Sequence, residues 1–245
     1  INYKSLATAV RAASPDTAVY AVAPPGHEFG RTEPFEPLAA TARRVADEIL
    51  RKVRGPLILY AHCVGTALAL ETVRLLEKEK VRIDGFYTGA ILPPQIAGLF
   101  GRSFNPWRPF GDKSVVSLLR RIGLPDIQVD PSFTRFVMGA FRRDVAEFYR
   151  YFHDCTRRSL PPIATPVHII VGDDDPMTRR YAARQHNWAR YAAEYTMSVL
   201  PGAGHYFIHT LPDRVAALML RIPVPQLRAA GGRGASRERS ATRGS

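Results

Sequence analysis

Two hydrophobic rhythms alternate along the chain. Leu38, Ala42, Val45 and Ile49 fall at helical spacing, as do Ala67, Leu70, Val73 and Leu76 within the segment Val64 to Lys80. Residues three and four apart share one face of a helix, so both segments read as amphipathic helices. Tyr3 to Ala13, Thr178 to Ala193 and Pro212 to Arg221 read as further helices. Between them lie short apolar runs bounded by turn residues: Thr17 to Val22, Leu57 to Tyr60 after Pro56, Ile83 to Ala90, Val167 to Val171 before Gly172, and Thr196 to Leu200. Runs of that length suit strands buried on both faces. The alternation predicts an α/β fold, a mainly parallel sheet with helices on both faces. Residues 93 to 162 break the rhythm. Pro93 and Pro94 open aromatic loops around Phe104, Trp107 and Phe110, and helices follow near Val115 to Ile122 and Phe133 to Cys155. This is an insertion, not a repeat. One domain over residues 1 to 225 is expected, with a basic tail, 226 to 245, too poor in apolar surface to offset ordering entropy and therefore disordered.

Composition narrows the function classes. A chain of 245 residues can bury a full core, and no linker divides it. No apolar run approaches the ~20 residues that cross a bilayer, so no membrane partner is expected. Two cysteines, Cys63 and Cys155, are too few for a disulfide framework and fit a reducing compartment, the cytoplasm. Net charge is +12, but five Arg against the single Glu238 lie in Arg228 to Ser245. Without a recognition module, the remaining excess points away from nucleic acid and serves an acidic protein partner equally well.

The chemistry begins at Ala61-His62-Cys63-Val64-Gly65, where the run ending at Tyr60 meets the strongest helix. Small residues flanking a nucleophile permit a sharp strand-to-helix turn that would otherwise crowd neighbouring Cβ atoms. The turn aims the Val64 N–H, and the positive end of the helix, at the place where an oxyanion forms. A helix N-terminus and a neighbouring His favour a reactive thiolate. The competing reading makes Cys63 a small apolar core residue at a strand end.

Gly172-Asp173-Asp174-Asp175-Pro176 follows one strand and Gly204-His205-Tyr206 follows the last. Chain order is then nucleophile, acid, base, the order of α/β-hydrolases. His205 would take or hold the proton, and an Asp would fix its tautomer. Asp175 is favoured, with Asp173 the runner-up. An acidic triplet also suits a solvated loop or a cation, but no second acidic cluster completes a coordination shell, and His205 with His209 lacks a third zinc ligand. No metal is expected.

These motifs together resemble an α/β-hydrolase thioesterase of the kind that serves polyketide and nonribosomal peptide synthetases. Ala23-Pro24-Pro25-Gly26-His27 with Arg31, Glu33 and Pro34 resembles the Pro-Gly-Arg and Glu-Pro loop of stand-alone editing members, and the elbow resembles their Gly-His-Ser-x-Gly. Phe141-Arg142-Arg143-Asp144 resembles their Leu-Arg-Ala-Asp on a lid helix, and the acid and base motifs follow in order. The resemblance implies an acyl or peptidyl chain delivered on the phosphopantetheine thiol of a carrier protein, with no resident cofactor, and a lid over the acyl pocket. Trp107, Phe110, Phe136, Phe148 and Tyr149 are candidates for its lining, though aromatics at helical spacing also make ordinary core. Cys63 stands where the family has Ser, and Ala61 where it has Gly. A cysteine acyl-enzyme is itself a thioester and retains the free energy to drive transfer or ring closure as well as hydrolysis. The family's first strands and its Phe-Pro-x-Ala-Gly loop, source of a second oxyanion N–H, are expected upstream of Ile1. The strand after the elbow ends Thr88-Gly89-Ala90-Ile91 without a carboxylate, which keeps the acid at Asp175. An acyltransferase or polyester synthase, and a degenerate docking module, are the alternatives.

Overall fold

The computed structural model describes residues 3–94, 103–123 and 131–221, and the backbone of 228–229. Strands β1 (Leu57–His62), β2 (Ile83–Gly89), β3 (Val167–Gly172) and β4 (Tyr195–Leu200) lie side by side in chain order, all parallel. A two-residue strand β5 (Arg228–Ala229) adds antiparallel to β4. Arg228 and Ala229 thus depart from the expected disorder of 226 to 245, and the rest of that tail lies outside the described residues.

Side chains leave a strand on alternate faces. Phe86, Ile169 and Val199 point to one side, where α2 (Leu38–Lys52), α3 (Gly65–Lys78) and α5 (Pro131–Arg157) supply Ala46, Leu70, Val73, Leu76, Phe148 and Phe152. Tyr87, Ile170 and Leu200 point to the other. There α1 (Lys4–Ala13), α7 (Phe207–Thr210) and α8 (Pro212–Met219) supply Leu6, Val10, Phe207, Ile208 and Val215. A third, small cluster joins Val115 and Leu119 of α4 (Asp112–Arg121) to Met138 of α5. This small core within the insertion is separate from the two that sandwich the sheet. Among the described residues no helix is long and apolar enough to cross a membrane.

Two expected elements differ. Thr17 to Val22 forms no strand: its backbone joins no ladder, and Tyr20 and Val22 stand 63% and 49% exposed. β propensity makes a strand only where another backbone accepts its hydrogen bonds. The helix expected over Thr178 to Ala193 shrinks to α6 (Tyr181–Arg184) and a 3-10 helix, Gln185–Arg190. Its start is taken by a turn in which buried Thr178 hydrogen-bonds the Asp175 carboxylate. At its end Trp188 and Tyr191, three apart, both reach the core, a spacing that a 3-10 turn aligns.

Candidate active site

The ends of β1, β3 and β4 converge on Cys63. Cys63 sits between β1 and α3 with φ 53°, a left-handed conformation that costs a non-glycine residue of order 1–2 kcal/mol and marks a site held by its surroundings. Its N–H donates to the carbonyl of Gly89 at 2.8 Å, which ties the turn to the end of β2. A Cβ at Gly89 would lie 2.4 Å from the Tyr60 hydroxyl and 2.9 Å from His62 Nδ1, so glycine is required there. Gly65 is different. A Cβ there meets nothing within 4 Å, so the small residue expected on steric grounds at the fifth elbow position is not demanded by crowding, although Ala61 at the first is buried. Val64 occupies the N-cap of α3, where backbone N–H groups have no helical acceptor.

Gly172 brings the acid and base loops together. The carbonyl of Ala203 fills the space its Cβ would take and accepts the N–H of Asp174 at 3.1 Å. Asp175 is 1% exposed. One carboxylate oxygen accepts the Met177 N–H at 2.8 Å; the other accepts from Thr178 Oγ1 at 2.9 Å and from His205 Nδ1 at 3.0 Å. His205, also buried, hydrogen-bonds Cys63 with its remaining nitrogen. Asp173 is exposed and accepts the N–H of Gly202 at 2.7 Å instead. Burial disfavours a charged His205, but its hydrogen bonds to Asp175 and Cys63 and their negative charge outweigh it, and its pKa rises from 6.5 to about 10.

That shift has a consequence for stability. Because the folded pKa is the higher one, the contribution is complete below pH 6.5 and drains away as pH rises toward 10. The expected result is a fall in urea midpoint between pH 7 and 10. His205→Gln, measured alongside, should flatten it.

Sequence reasoning missed the support behind His205. His62 is fully buried. Its Nε2 donates to the carbonyl of His205 at 2.9 Å, so its Nδ1 accepts from the Tyr60 hydroxyl at 3.0 Å. Burial, then the charge of His205, hold His62 well below its ordinary pKa, so it is neutral. Tyr3 packs edge-on to Tyr60 and hydrogen-bonds the His62 backbone; burial pushes its phenol up to about 12. The signal was the apolar strand itself, in which a Tyr and a His two apart share a face. His62→Phe orphans the His205 carbonyl and the Tyr60 hydroxyl. Unfolding in urea should show a loss of about 1–3 kcal/mol per orphaned group, partly recovered by His62→Gln.

The lid aromatics divide. Phe148 is 3% exposed and belongs to the main core with Phe152; Tyr149 is half-buried, packs against the edge of that core and against Phe104, and is reached by the charge of Cys63. Phe136 stacks edge-on against Phe29 at 5.5 Å. Trp107 packs with Phe110 and Phe141, and Phe110 is half exposed. A cavity of about 450 Å³ between α4 and the acid loop is lined by Leu118, Arg121, Asp175 and Arg179 among others, but not by Cys63. Cys155 is buried and free, its thiol pKa raised by burial.

A parallel sheet with helices on both faces, a left-handed residue at a strand-to-helix turn, and an acid and a base after the next strands define the α/β-hydrolase class. Residues 3–218 match the alpha/beta hydrolase family, and the chain belongs to it. It is 26% identical over 223 residues to the AMB antimetabolite synthetase AmbE of Pseudomonas aeruginosa, covering 86% of this chain but 10% of that protein. It is 24% identical to the thioesterase PikA5 of Streptomyces venezuelae over 80% of this chain and 67% of that one. The chain therefore spans a tenth of the synthetase and two thirds of the thioesterase. Among solved structures, the type II thioesterase BorB of the borrelidin biosynthetic cluster superposes with a TM-score of 0.70 at 24% identity, covering 91% of this chain and 88% of its own. The type II thioesterase YbtT of the yersiniabactin pathway gives 0.66 at 22% identity, over 82% and 79%.

Proposed function

We propose that this chain is a thioesterase of polyketide or nonribosomal peptide biosynthesis that releases an acyl or peptidyl chain from a carrier protein through an acyl-enzyme on Cys63. The observation that carries this reading is the contact series Asp175, His205, Cys63 at the elbow. The Cys63 thiolate attacks the thioester carbonyl. The oxyanion so formed faces the Val64 N–H, and collapse expels the pantetheine thiolate, which takes its proton from His205 Nε2. His205, now neutral, removes a proton from water, or from an amine or hydroxyl of the same chain, as that nucleophile attacks the Cys63 thioester. Cys63 leaves as thiolate, and the imidazolium is restored beside it. Asp175 keeps the proton on Nδ1 throughout. Tyr149, which the charge of Cys63 reaches, is assigned to the acyl pocket. The carrier protein is the partner, and its phosphopantetheine supplies the thioester.

The test is incubation with an acyl-pantetheine thioester, followed by intact mass measurement and peptide mapping. An acyl adduct on the Cys63 peptide, with free pantetheine released, is the expected result. No adduct, together with alkylation of Cys63 by iodoacetamide no faster than free cysteine, would leave a docking module.

A further inference from the structure

We propose that His27 and Asp144 form a protonation-dependent latch between the loop 23–38 and lid helix α5, closed while the imidazole carries two protons and released when it loses one. The two residues are 117 positions apart, yet His27 Nε2 lies 2.9 Å from Asp144 Oδ1, and its Nδ1 lies 3.0 Å from the carbonyl of Pro25. A carbonyl and an ionised carboxylate are acceptors only, whereas a neutral imidazole has one N–H to donate. Neutral His27 can therefore satisfy one neighbour, and it must turn a lone pair toward the oxygen of the other. The imidazolium satisfies both. The side chains are 22% and 34% exposed, so solvent screens the pair only in part.

Most of the charged groups nearby have partners of their own, and Arg135 of α5 lines the adjoining cavity. Arg143 of α5 stacks over the Phe35 ring at 5.2 Å, and Glu147 accepts the Leu38 N–H at 3.2 Å and pairs with Arg150. Glu28 pairs with Arg31, and Glu33 and Glu36 with Arg44. Among the described residues Asp144 is the charge that acts on His27, and its hydrogen bond raises the imidazole's pKa despite burial.

Other contacts across this seam among the described residues include the Leu38–Glu147 hydrogen bond, the Arg143–Phe35 stack, and Phe29 edge-on to Phe133 and Phe136. A cavity of about 340 Å³ lies along the same seam, lined by Gly26 from the loop and by Arg135, Phe136 and Arg143 from α5. Release of the latch loosens the loop from the lid helix there. The sign follows from the latched pKa being the higher one. Closure is complete below the ordinary imidazole value of 6.5 and weakens as pH rises through the latched value, by at most ten-fold per pH unit within that window.

Hydrogen exchange of the full chain from pH 6 to 9, corrected for the intrinsic rate, reads the latch directly. In the wild type, protection of 24–38 and of 131–147 should fall as pH rises. His27→Arg, which donates at any of these pH values, should hold protection constant, and Asp144→Asn should show low protection throughout. A wild-type profile independent of pH, or the same fall in His27→Arg, would overturn the proposal. Should His27→Arg fail to fold, the NMR titration of His27 decides. Its midpoint must drop in Asp144→Asn, and an unchanged midpoint rejects the latch.

Discussion

Cys63→Ala is expected to lower thioester turnover by about 10⁴-fold or more and to abolish the acyl adduct, while Cys155→Ala stays within about two-fold of wild type. Alanine keeps the left-handed turn, the Val64 N–H and the His205–Asp175 pair, so what disappears is the atom that bonds to the acyl carbon. Cys155 is buried on the core side of α5 with its thiol pKa raised, far less able to ionise or to meet a substrate. Steady-state rates on an acyl-cysteamine thioester, with intact mass taken at each time point, measure both quantities. Loss of His205 from the same site should cost nearly as much, because groups that act as one unit are not additive. A Cys63→Ala enzyme that retains turnover, or equal adducts on the two single variants, would remove Cys63 as nucleophile.

Much of this arrangement was legible in the chain, for reasons that differ by element. Ile83 to Ala90 and Val167 to Val171 appear as strands because a strand buried on both faces has no polar alternation to confuse the pattern, whereas Leu57 to Tyr60, with Ile58 37% exposed, and Thr196 to Leu200, with Thr196 exposed, are legible as short apolar runs bounded by turn residues. Thr17 to Val22 reads just as apolar, and it fails because pairing is a property of a neighbour, which a single segment does not encode. The segment Thr178 to Ala193 fails for a local reason. Asp175 draws Thr178 into its own hydrogen-bond set, and a side chain that caps a turn competes with the helix for the same backbone. At the site, the elbow and the two strand-end motifs were visible because a sharp turn and a loop each restrict composition. His62 was not. The two-residue spacing of Tyr60 and His62 puts them on one face but does not name a partner, and the role of His62 rests on the carbonyl of His205, 143 residues away. The aromatics of the insertion were ambiguous for a related reason: Phe148 and Tyr149 are adjacent in sequence, and only packing buries the first in the core and leaves the second half-buried at its edge.

Asp175→Asn should lower turnover by about 10² to 10⁴-fold, whereas Asp173→Asn should stay within a few-fold of wild type. Both substitutions are nearly isosteric, so the difference between them reports hydrogen bonding rather than volume. In the wild type, Asp175 accepts the hydrogen bond of the His205 Nδ1–H, which in the proposed mechanism leaves Nε2 to exchange a proton with the leaving group and the attacking water. An asparagine retains one carbonyl oxygen. The Met177 N–H claims it, and the amide NH₂ then faces Thr178 Oγ1 and His205. A donor facing Nδ1 selects the tautomer with its proton on Nε2, which can no longer remove a proton from the attacking water. It also withdraws the negative charge that helps to keep His205 protonated to about pH 10. The fall in stability between pH 7 and 10 should therefore shrink in Asp175→Asn and persist in Asp173→Asn, since the wild-type Asp173 carboxylate accepts the Gly202 N–H and not His205. Turnover and urea midpoint, measured on both variants at pH 7 and 9.5, form one experiment with two independent readouts. If Asp173→Asn shows the large loss and Asp175→Asn does not, the acid belongs to Asp173, and Asp175 is left as the cap of the turn at Met177 and Thr178.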